Sequence, residues 1–197
     1  MKKRLLYFLL VGVGCFVVYK GLLRINFNQS YEVGQALDSL NGVVVYYNGA
    51  VDHTEGRNTS LDNYNIGIRY QCVEFVKRYY YEHLHHKMPD SYGHAKDFFN
   101  EEIPDGQLNK QRNLIQYRNG GVTQPFVDDL VVFAPTVFNS YGHVAIVSGV
   151  TENEIEIIQQ NPGPFGKSRE KFALVKTANG WKIANERILG WLRLAER

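Results

Sequence analysis

The sequence predicts an α+β fold, in which helices pack on one side of an antiparallel sheet. After Cys72, apolar residues recur at steps of three and four, which indicates a helix over 72–86. From residue 129 onward, short runs of β-branched and aromatic residues are separated by turn residues, which indicates consecutive strands. Helices followed by a series of strands are typical of the α+β class.

The composition restricts the classes of partner. The chain has 197 residues, of which 44% are hydrophobic and 21% charged, and its net charge is +2. A chain of this length can bury a sizeable core, and so small a charge does not predict nucleic-acid binding. His83 and His86 share a face of the predicted helix, but no carboxylate or cysteine completes a metal site there. We expect a monomer with no cofactor, no metal and no nucleic-acid partner.

The N-terminal segment has the pattern of a membrane anchor. Three basic residues at 2–4 precede a run of fifteen uncharged residues, 5–19. If Lys20 extends its amine toward water, the apolar segment covers 5–23, close to the ~20 residues that cross a bilayer. Because no small-x-small cleavage motif follows, we predict an uncleaved signal anchor over 1–24 and a polar tether over 25–32.

The basic residues around this segment predict its orientation. Three lie before the apolar run and two, Lys20 and Arg24, lie at its end. The positive-inside rule then places the N-terminus in the cytoplasm and the domain outside. We expect a single-pass protein of the bacterial cell membrane that contacts the bilayer through residues 5–23. The alternatives are secretion after signal cleavage, or an N-terminal helix buried in the domain, which the absence of a polar face disfavours.

Residues 33–197 form the predicted folded domain. Runs of β-branched and aromatic residues predict strands at 42–47, 129–134, 142–150 and 154–160, with weaker strands at 171–176 and 188–194. A second helix is predicted at 93–100. The polar segments 48–69 and 101–124 are predicted to be irregular, and long loops of this kind are often functional.

Cys72 is the candidate nucleophile. It lies on the first turn of the predicted helix, where unsatisfied backbone N–H groups and the positive end of the helix dipole favour a thiolate. The thiolate is the reactive form of cysteine. The alternative is that Cys72 is a small buried apolar residue.

His143 is the candidate base. It lies at the start of the 142–150 strand, directly after the turn at 139–142, so its ring can meet a group from a facing helix. Histidine changes charge near neutral pH, which suits proton transfer. The alternative is a half-buried histidine whose hydrogen bonds are satisfied.

Gln159 is predicted to orient the histidine. A three-residue hairpin loop at 151–153, with Asn153 in a left-handed conformation, pairs His143 with Asn161. Gln159 then lies diagonally across from His143 on the same face, where its amide can accept the proton of one ring nitrogen. A loop one residue shorter or longer puts Gln159 on the opposite face, so the prediction depends on the loop.

These three residues together have the chemistry of a cysteine amidase, in which a base takes the thiol proton and a third group orients the base. The backbone N–H of Cys72 is the first candidate for binding the oxyanion, and the side chain of Gln71 is the second. Asn161 is a further candidate for substrate binding and, if Gln159 fails in that role, for orienting His143.

Four segments of the chain resemble the CHAP family of cysteine, histidine-dependent amidohydrolases/peptidases. They are Tyr70-Gln71-Cys72-Val73-Glu74-Phe75, Gly142-His143-Val144-Ala145-Ile146-Val147, Gln159-Gln160-Asn161 and Ile188-Leu189-Gly190-Trp191. Within the family the likeness is to the amidase domain of glutathionylspermidine synthetase/amidase, over about residues 33–194. The resemblance implies a papain-like fold of the NlpC/P60 type, with the nucleophile helix packed on an antiparallel sheet. It also implies that Cys72 is the nucleophile and His143 the base.

The sequence departs from the family pattern in two respects. The position two residues before Asn161, usually a glutamate in the family, is Gln159, and a neutral amide stabilises an imidazolium less well than a carboxylate does. We therefore expect a glutamate at this position to be at least as active as the glutamine. The second departure is that no synthetase domain follows the amidase-like part.

Two classes of function follow. The first is a membrane-anchored or secreted cysteine amidase/peptidase that acts on peptidoglycan-type peptides, with a glutathione–polyamine conjugate as the alternative substrate. The second is a non-catalytic CHAP-like module that binds such ligands without cutting them, which the glutamine at position 159 favours.

Overall fold

The computed structural model describes residues 2–163 and 165–195 of the chain. Met1 of the predicted anchor, Pro164 in the turn after the 154–160 strand, and the last two residues of the predicted domain lie outside the described residues. Within the described ranges the chain forms two α-helices, a short 3-10 helix and twelve strands. The predicted α+β class is therefore confirmed.

The two helices have different surroundings. The first, α1 (Lys2–Leu22), contains a candidate span, Lys3–Leu22, that is long and apolar enough to cross a membrane and whose most apolar window is entirely unburied. The second, α2 (Cys72–Glu82), begins at the candidate nucleophile. The strands are β1 (Ala36–Leu40), β2 (Val43–Tyr46), β3 (Arg57–Thr59), β4 (Asn65–Ile68), β5 (Gln107–Asn109), β6 (Leu114–Arg118), β7 (Leu130–Phe133), β8 (His143–Val150), β9 (Glu154–Ile158), β10 (Arg169–Thr177), β11 (Gly180–Ile183) and β12 (Ile188–Arg193).

Eight of the strands form a central sheet in the order β11-β10-β9-β8-β7-β12-β6-β5. Each of its neighbouring pairs runs antiparallel, as predicted. The remaining strands form two small sheets, β1-β2 and β3-β4. Helix α2 contacts β8 of the central sheet as well as β2 and β4 of the small ones, so all three sheets meet around the helix.

Burial on both faces explains why the middle of the central sheet is apolar. Successive side chains of a strand point to opposite faces. Along β8, Val144 and Ile146 pack in the cluster that contains Phe75 of α2, whereas Ala145 packs in the cluster around Trp191 on the other face. Cys72 packs against the first cluster, which brings it to the strand that begins with His143.

Both helices predicted in the folded domain are shorter than expected. α2 ends at Glu82 and not at residue 86, because His85 takes a left-handed conformation (φ 52°) that turns the chain. The helix predicted at 93–100 is only a 3-10 turn at Ala95–Phe98. Phe99 after it is already extended.

Two segments predicted to be irregular contain strands. Segment 101–124 holds β5 and β6, and segment 48–69 holds β3 and β4. The apolar pattern misses β5 and β6 because polar residues occupy inward positions. Asn109 and Gln116 are fully buried there, and the Asn109 amide donates a hydrogen bond of 3.1 Å to the Gln116 side-chain oxygen. β1 and β11 also lie outside the predicted strands.

Candidate active site

A tight turn delivers the chain to Cys72, the first residue of α2. Tyr70 is left-handed, with φ 62°, a conformation that is uncommon and strained for an aromatic residue. Gln71 is extended and forms the N-cap of the helix. The Tyr70 ring packs 5.4 Å from the ring of Tyr46 on β2, and this contact helps to hold the turn.

A buried polar network fixes the first turn of α2. Glu74 is 2% exposed, and its carboxylate accepts hydrogen bonds from Arg78 Nε at 2.7 Å, Asn58 Nδ2 at 2.8 Å and Gln160 Nε2 at 2.9 Å. Gln160 also donates to the carbonyl of Gln71 at 3.1 Å. Because Gln160 directly follows Gln159, the network ties the start of the nucleophile helix to the residue predicted to orient the base.

Sequence reasoning missed this network. The signal for it lay in the acidic residue in the first turn of the helix, which is favoured there by the helix dipole, and in the two consecutive glutamines after an apolar strand. Neither feature indicates by itself that the two segments meet.

His143 and Gln159 are joined by a hydrogen bond of 2.9 Å between Nε2 and Oε1. Both residues are buried. The Gln159 amide nitrogen donates to the carbonyl of Lys167 at 3.1 Å and to the carboxylate of Glu170 at 3.3 Å. Since both of these partners only accept, the amide oxygen must face the imidazole. Nε2 of His143 is therefore the protonated nitrogen, and Nδ1 is left as an acceptor.

The strand register that brings these residues together arises differently from the prediction. Thr151 N–H bonds the carbonyl of Glu154 at 2.8 Å, which closes a turn of only two residues, and Asn153 has no positive φ. The pair Val150–Ile155 continues that register, which alone would turn Gln159 to the wrong face. A β-bulge between Val147 and Gly149 shifts the pairing by one residue. The predicted register near His143 is thereby restored, although the predicted loop is wrong.

Cys72 is half-buried at the start of the helix. Burial raises its pKa to about 11, although the backbone N–H groups of Val144, Val73 and Cys72 itself oppose this rise. Burial also lowers the pKa of His143 to about 4, and the hydrogen bond to Gln159 only partly offsets this. Both shifts favour a neutral thiol and a neutral imidazole near pH 7. Desolvation thus opposes the preference for a thiolate that the helix terminus was expected to give.

Gln71 and Asn161 are close to Cys72 in the structure, but their donors are engaged. Gln71 Nε2 donates to the carbonyls of His53 at 2.7 Å and Val51 at 3.3 Å. Asn161 Nδ2 donates to Gln71 Oε1 at 2.8 Å and to Val51 O at 3.0 Å. These bonds tie the segment before β3 to the helix start. The side chain of Gln71 is therefore not free to bind an oxyanion, and the backbone N–H of Cys72 is the better-placed donor.

A small cleft borders the predicted orienting residue. Its lining includes Gln159, Asn161 and Tyr47 together with the tether residues Asn28 and Tyr31. A more open cavity, which is lined by Asp90, Asp97 and Arg112 among others, contains none of the predicted site residues. The cleft beside Gln159 therefore borders two of the predicted site residues, although neither Cys72 nor His143 lines it.

The structure thus brings together a thiol at the start of α2 and, on the strand β8 that this helix contacts, a histidine bonded to a glutamine. A nucleophile and its base require residues of these types. Residues 62–161 match the model of the CHAP domain family. The matched range contains Cys72, His143, Gln159 and Asn161 and covers half of the chain. The chain belongs to the CHAP family, as its motifs predicted, and membership supports a hydrolase that acts on amide bonds.

Two curated relatives come from Crithidia fasciculata. Trypanothione synthetase is 28% identical over 140 residues, which make up 70% of this chain and 22% of the relative. Glutathionylspermidine synthase is 30% identical over 140 residues, which make up 64% of this chain and 19% of the relative. The chain spans about a fifth of the length of these relatives. A solved structure, "The crystal structure of Ly7917", is 22% identical with a TM-score of 0.24 over 36% of this chain and 28% of that chain.

Proposed function

We propose that this chain is a membrane-anchored cysteine amidase or peptidase, with Cys72 as nucleophile and His143 as general base. The observation that carries the proposal is the hydrogen bond from His143 Nε2 to Gln159 Oε1. It keeps Nδ1 free to accept a proton, and it does so beside the helix that begins with the thiol.

The neutral resting pair defines the first chemical step. When a substrate carbonyl lies against Cys72, His143 Nδ1 takes the thiol proton while the sulfur attacks the carbonyl carbon. Gln159 holds the imidazolium that forms, because its amide oxygen accepts a hydrogen bond from Nε2–H throughout the reaction. The backbone N–H of Cys72, at the positive end of α2, stabilises the oxyanion.

The second half of the reaction returns the proton. As the tetrahedral intermediate collapses, the C–N bond breaks and His143 gives its proton to the leaving amine, so that a thioester on Cys72 remains. The neutral Nδ1 then takes a proton from water, the hydroxide attacks the thioester, and the thiol recovers the proton as the carboxylic acid leaves.

The proposed substrate is a peptide of the peptidoglycan type. The predicted orientation of α1 supports this choice, since it puts the site outside the cytoplasm. The second candidate is a glutathione–polyamine conjugate, which the name of the relative glutathionylspermidine synthase favours. A non-catalytic role is less well supported, because the glutamine that suggested it makes the contact with His143 that a base requires.

The test uses the full-length protein in detergent with purified peptidoglycan and, separately, with glutathionylspermidine. We expect release of new amino groups from peptidoglycan, loss of this activity in Cys72→Ala, and retention in the matched control Cys15→Ala. A folded Cys72→Ala protein that remains active overturns the proposed nucleophile. Cleavage of glutathionylspermidine alone selects the second substrate, and a wild-type protein that binds but cleaves neither is a binding module.

A further inference from the structure

The loop between β7 and β8, residues 134–142, exposes apolar side chains next to the candidate site. Val137 is 95% exposed, Phe138 75% and Tyr141 49%. Burying apolar surface stabilises a protein by roughly 25 cal/mol per Å². Three exposed apolar side chains on one loop therefore leave stabilising free energy unused. Groups of exposed apolar residues commonly mark interaction surfaces.

The last turns of α1 contact this loop. The Tyr19 hydroxyl donates a hydrogen bond to the carbonyl of Phe138, and the two rings lie 5.8 Å apart. The same end of α1 also reaches the other side of the site. Asp52 N–H donates to the carbonyl of Leu23 at 3.1 Å, and Lys20 Nζ lies 3.9 Å from the Asp52 carboxylate. The C-terminal end of α1 is therefore held between two loops that border the site.

The length of α1 sets the depth of these contacts in a bilayer. The candidate span Lys3–Leu22 has 20 residues, and at 1.5 Å a residue such a helix is about 30 Å long, which matches the ~30 Å hydrocarbon core. Tyr19 then lies in the last turn, near the headgroups, where tyrosine is enriched. Because Phe138 contacts Tyr19, it lies at the same depth.

We propose that the tip of the 134–142 loop inserts its apolar side chains into the outer face of the bilayer that α1 crosses. This inference rests on the proposed membrane anchor. A loop that is bonded to a spanning helix at headgroup depth meets lipid whenever the helix is inserted, so the bilayer is the occupant that the contacts select. Lys20 and Arg24 at the same end of α1 are placed to meet lipid phosphates.

This docking turns the candidate site toward the membrane surface. His143 follows Phe138 by five residues, so the chain keeps it within about 18 Å of the inserted tip. On the other side, His53 directly follows Asp52, and its carbonyl accepts the 2.7 Å bond from Gln71, the neighbour of Cys72. A substrate amide must then lie close to the bilayer when it is cut.

Tryptophan fluorescence in vesicles tests the docking. Full-length Phe138→Trp is reconstituted into phosphatidylcholine vesicles with and without bromine atoms on the upper acyl chains. We expect the bromolipid to remove most of the emission added at position 138, after subtraction of the wild-type signal from Trp181 and Trp191. The matched control is Leu61→Trp, whose added emission is expected to stay unchanged.

Leu61 suits this control because it is fully exposed and lies at the far end of α2 from Cys72. The hydroxyl of Tyr81, in the last turn of the helix, donates to the neighbouring Asp62 at 3.2 Å. Quenching at 138 and not at 61 supports the docking. Equal quenching at both positions, or none at 138, overturns it.

Alkaline carbonate extraction separates this failure from a failure of the anchor. If carbonate releases the protein, the membrane anchor itself is refuted. If the protein stays in the membrane and Trp at 138 is not quenched, only the docking is refuted. Emission at 138 that changes with protein concentration and not with bromine assigns the loop to a contact between two copies, and this result also overturns the docking.

Discussion

Gln159 and Glu170 are joined by a hydrogen bond of 3.3 Å from the amide nitrogen to the carboxylate. Together with the 3.1 Å bond to the carbonyl of Lys167, it fixes which end of the amide faces His143. The glutamine at position 159 is therefore matched to its surroundings, since its two acceptor neighbours require a donor that a glutamate lacks.

Gln159→Glu is expected to lower both stability and activity, contrary to the expectation from the family pattern. The new carboxylate places one oxygen against the Lys167 carbonyl and the Glu170 carboxylate, with no proton to share. Position 159 is buried, whereas Lys167 and Glu170 are exposed, so we expect a cost of about 1 kcal/mol, the net contribution of a typical hydrogen bond. Denaturant unfolding and kcat/KM of the variant measure the two effects.

The double variant Gln159→Glu/Glu170→Gln is the control for this prediction. The amide at position 170 supplies a donor to the new carboxylate, so the double variant should recover part of both losses. If the single variant is as stable and as active as wild type, the contacts with Lys167 and Glu170 do not make glutamine preferable to glutamate at position 159.

Acid is expected to destabilise the fold through His143. Its pKa is lowered from 6.5 to about 4 in the folded protein, so the unfolded chain binds more protons between these values. Stability from this group is fully present above pH 6.5 and is lost as the pH falls toward 4. The loss is on the order of 3 kcal/mol.

The contribution of His143 is measured as the difference between the unfolding free energies of wild type and His143→Asn at several pH values. The carboxylates and the other histidines titrate in both proteins, so their contributions cancel in this difference. Equal pH dependence of the two proteins between pH 4 and 6.5 would show that His143 is not buried in its neutral form.

Alkylation of Cys72 is expected to be slow at neutral pH and to accelerate in strong alkali. The reactive species is the thiolate, and burial raises the pKa of this thiol to about 11. The measurement is the rate of iodoacetamide labelling against pH in Cys15→Ala, which has a single thiol. Rapid labelling at pH 7 that disappears in His143→Ala would instead indicate a preformed ion pair of thiolate and imidazolium.

Short-range sequence patterns predicted where the candidate site residues lie in the fold, and they missed the features that depend on burial. Cys72 at a helix start and His143 at a strand start follow from apolar periodicity and turn residues. The bulge at Ser148 has no such local signal. It arises because the register set by the two-residue turn differs by one residue from the register of the strand pairs nearer His143. The raised pKa of the Cys72 thiol could not be predicted from the sequence either, since it depends on how α2 packs on β8.

Glu74 lies at the centre of the buried network around the first turn of α2, and Glu74→Gln tests whether this network positions the nucleophile. Arg78 is 6% exposed, and its Nε bonds the Glu74 carboxylate at 2.7 Å. Removing the negative charge leaves a buried guanidinium uncompensated, which typically costs about 3–5 kcal/mol.

The expected result is a large loss of stability, together with a fall in kcat that exceeds the change in KM. The amide has one acceptor oxygen where the carboxylate has two, so the first turn of α2 loses its bond to either Asn58 or Gln160. The thiol then shifts relative to His143, and a small displacement is costly at a reacting centre. The matched control is Glu152→Gln, an exposed glutamate in the β8–β9 turn, which should leave both quantities unchanged. If Glu74→Gln folds with wild-type stability and its kcat is unaltered, the buried network does not position the nucleophile, and the strained turn at Tyr70 must hold the helix start instead.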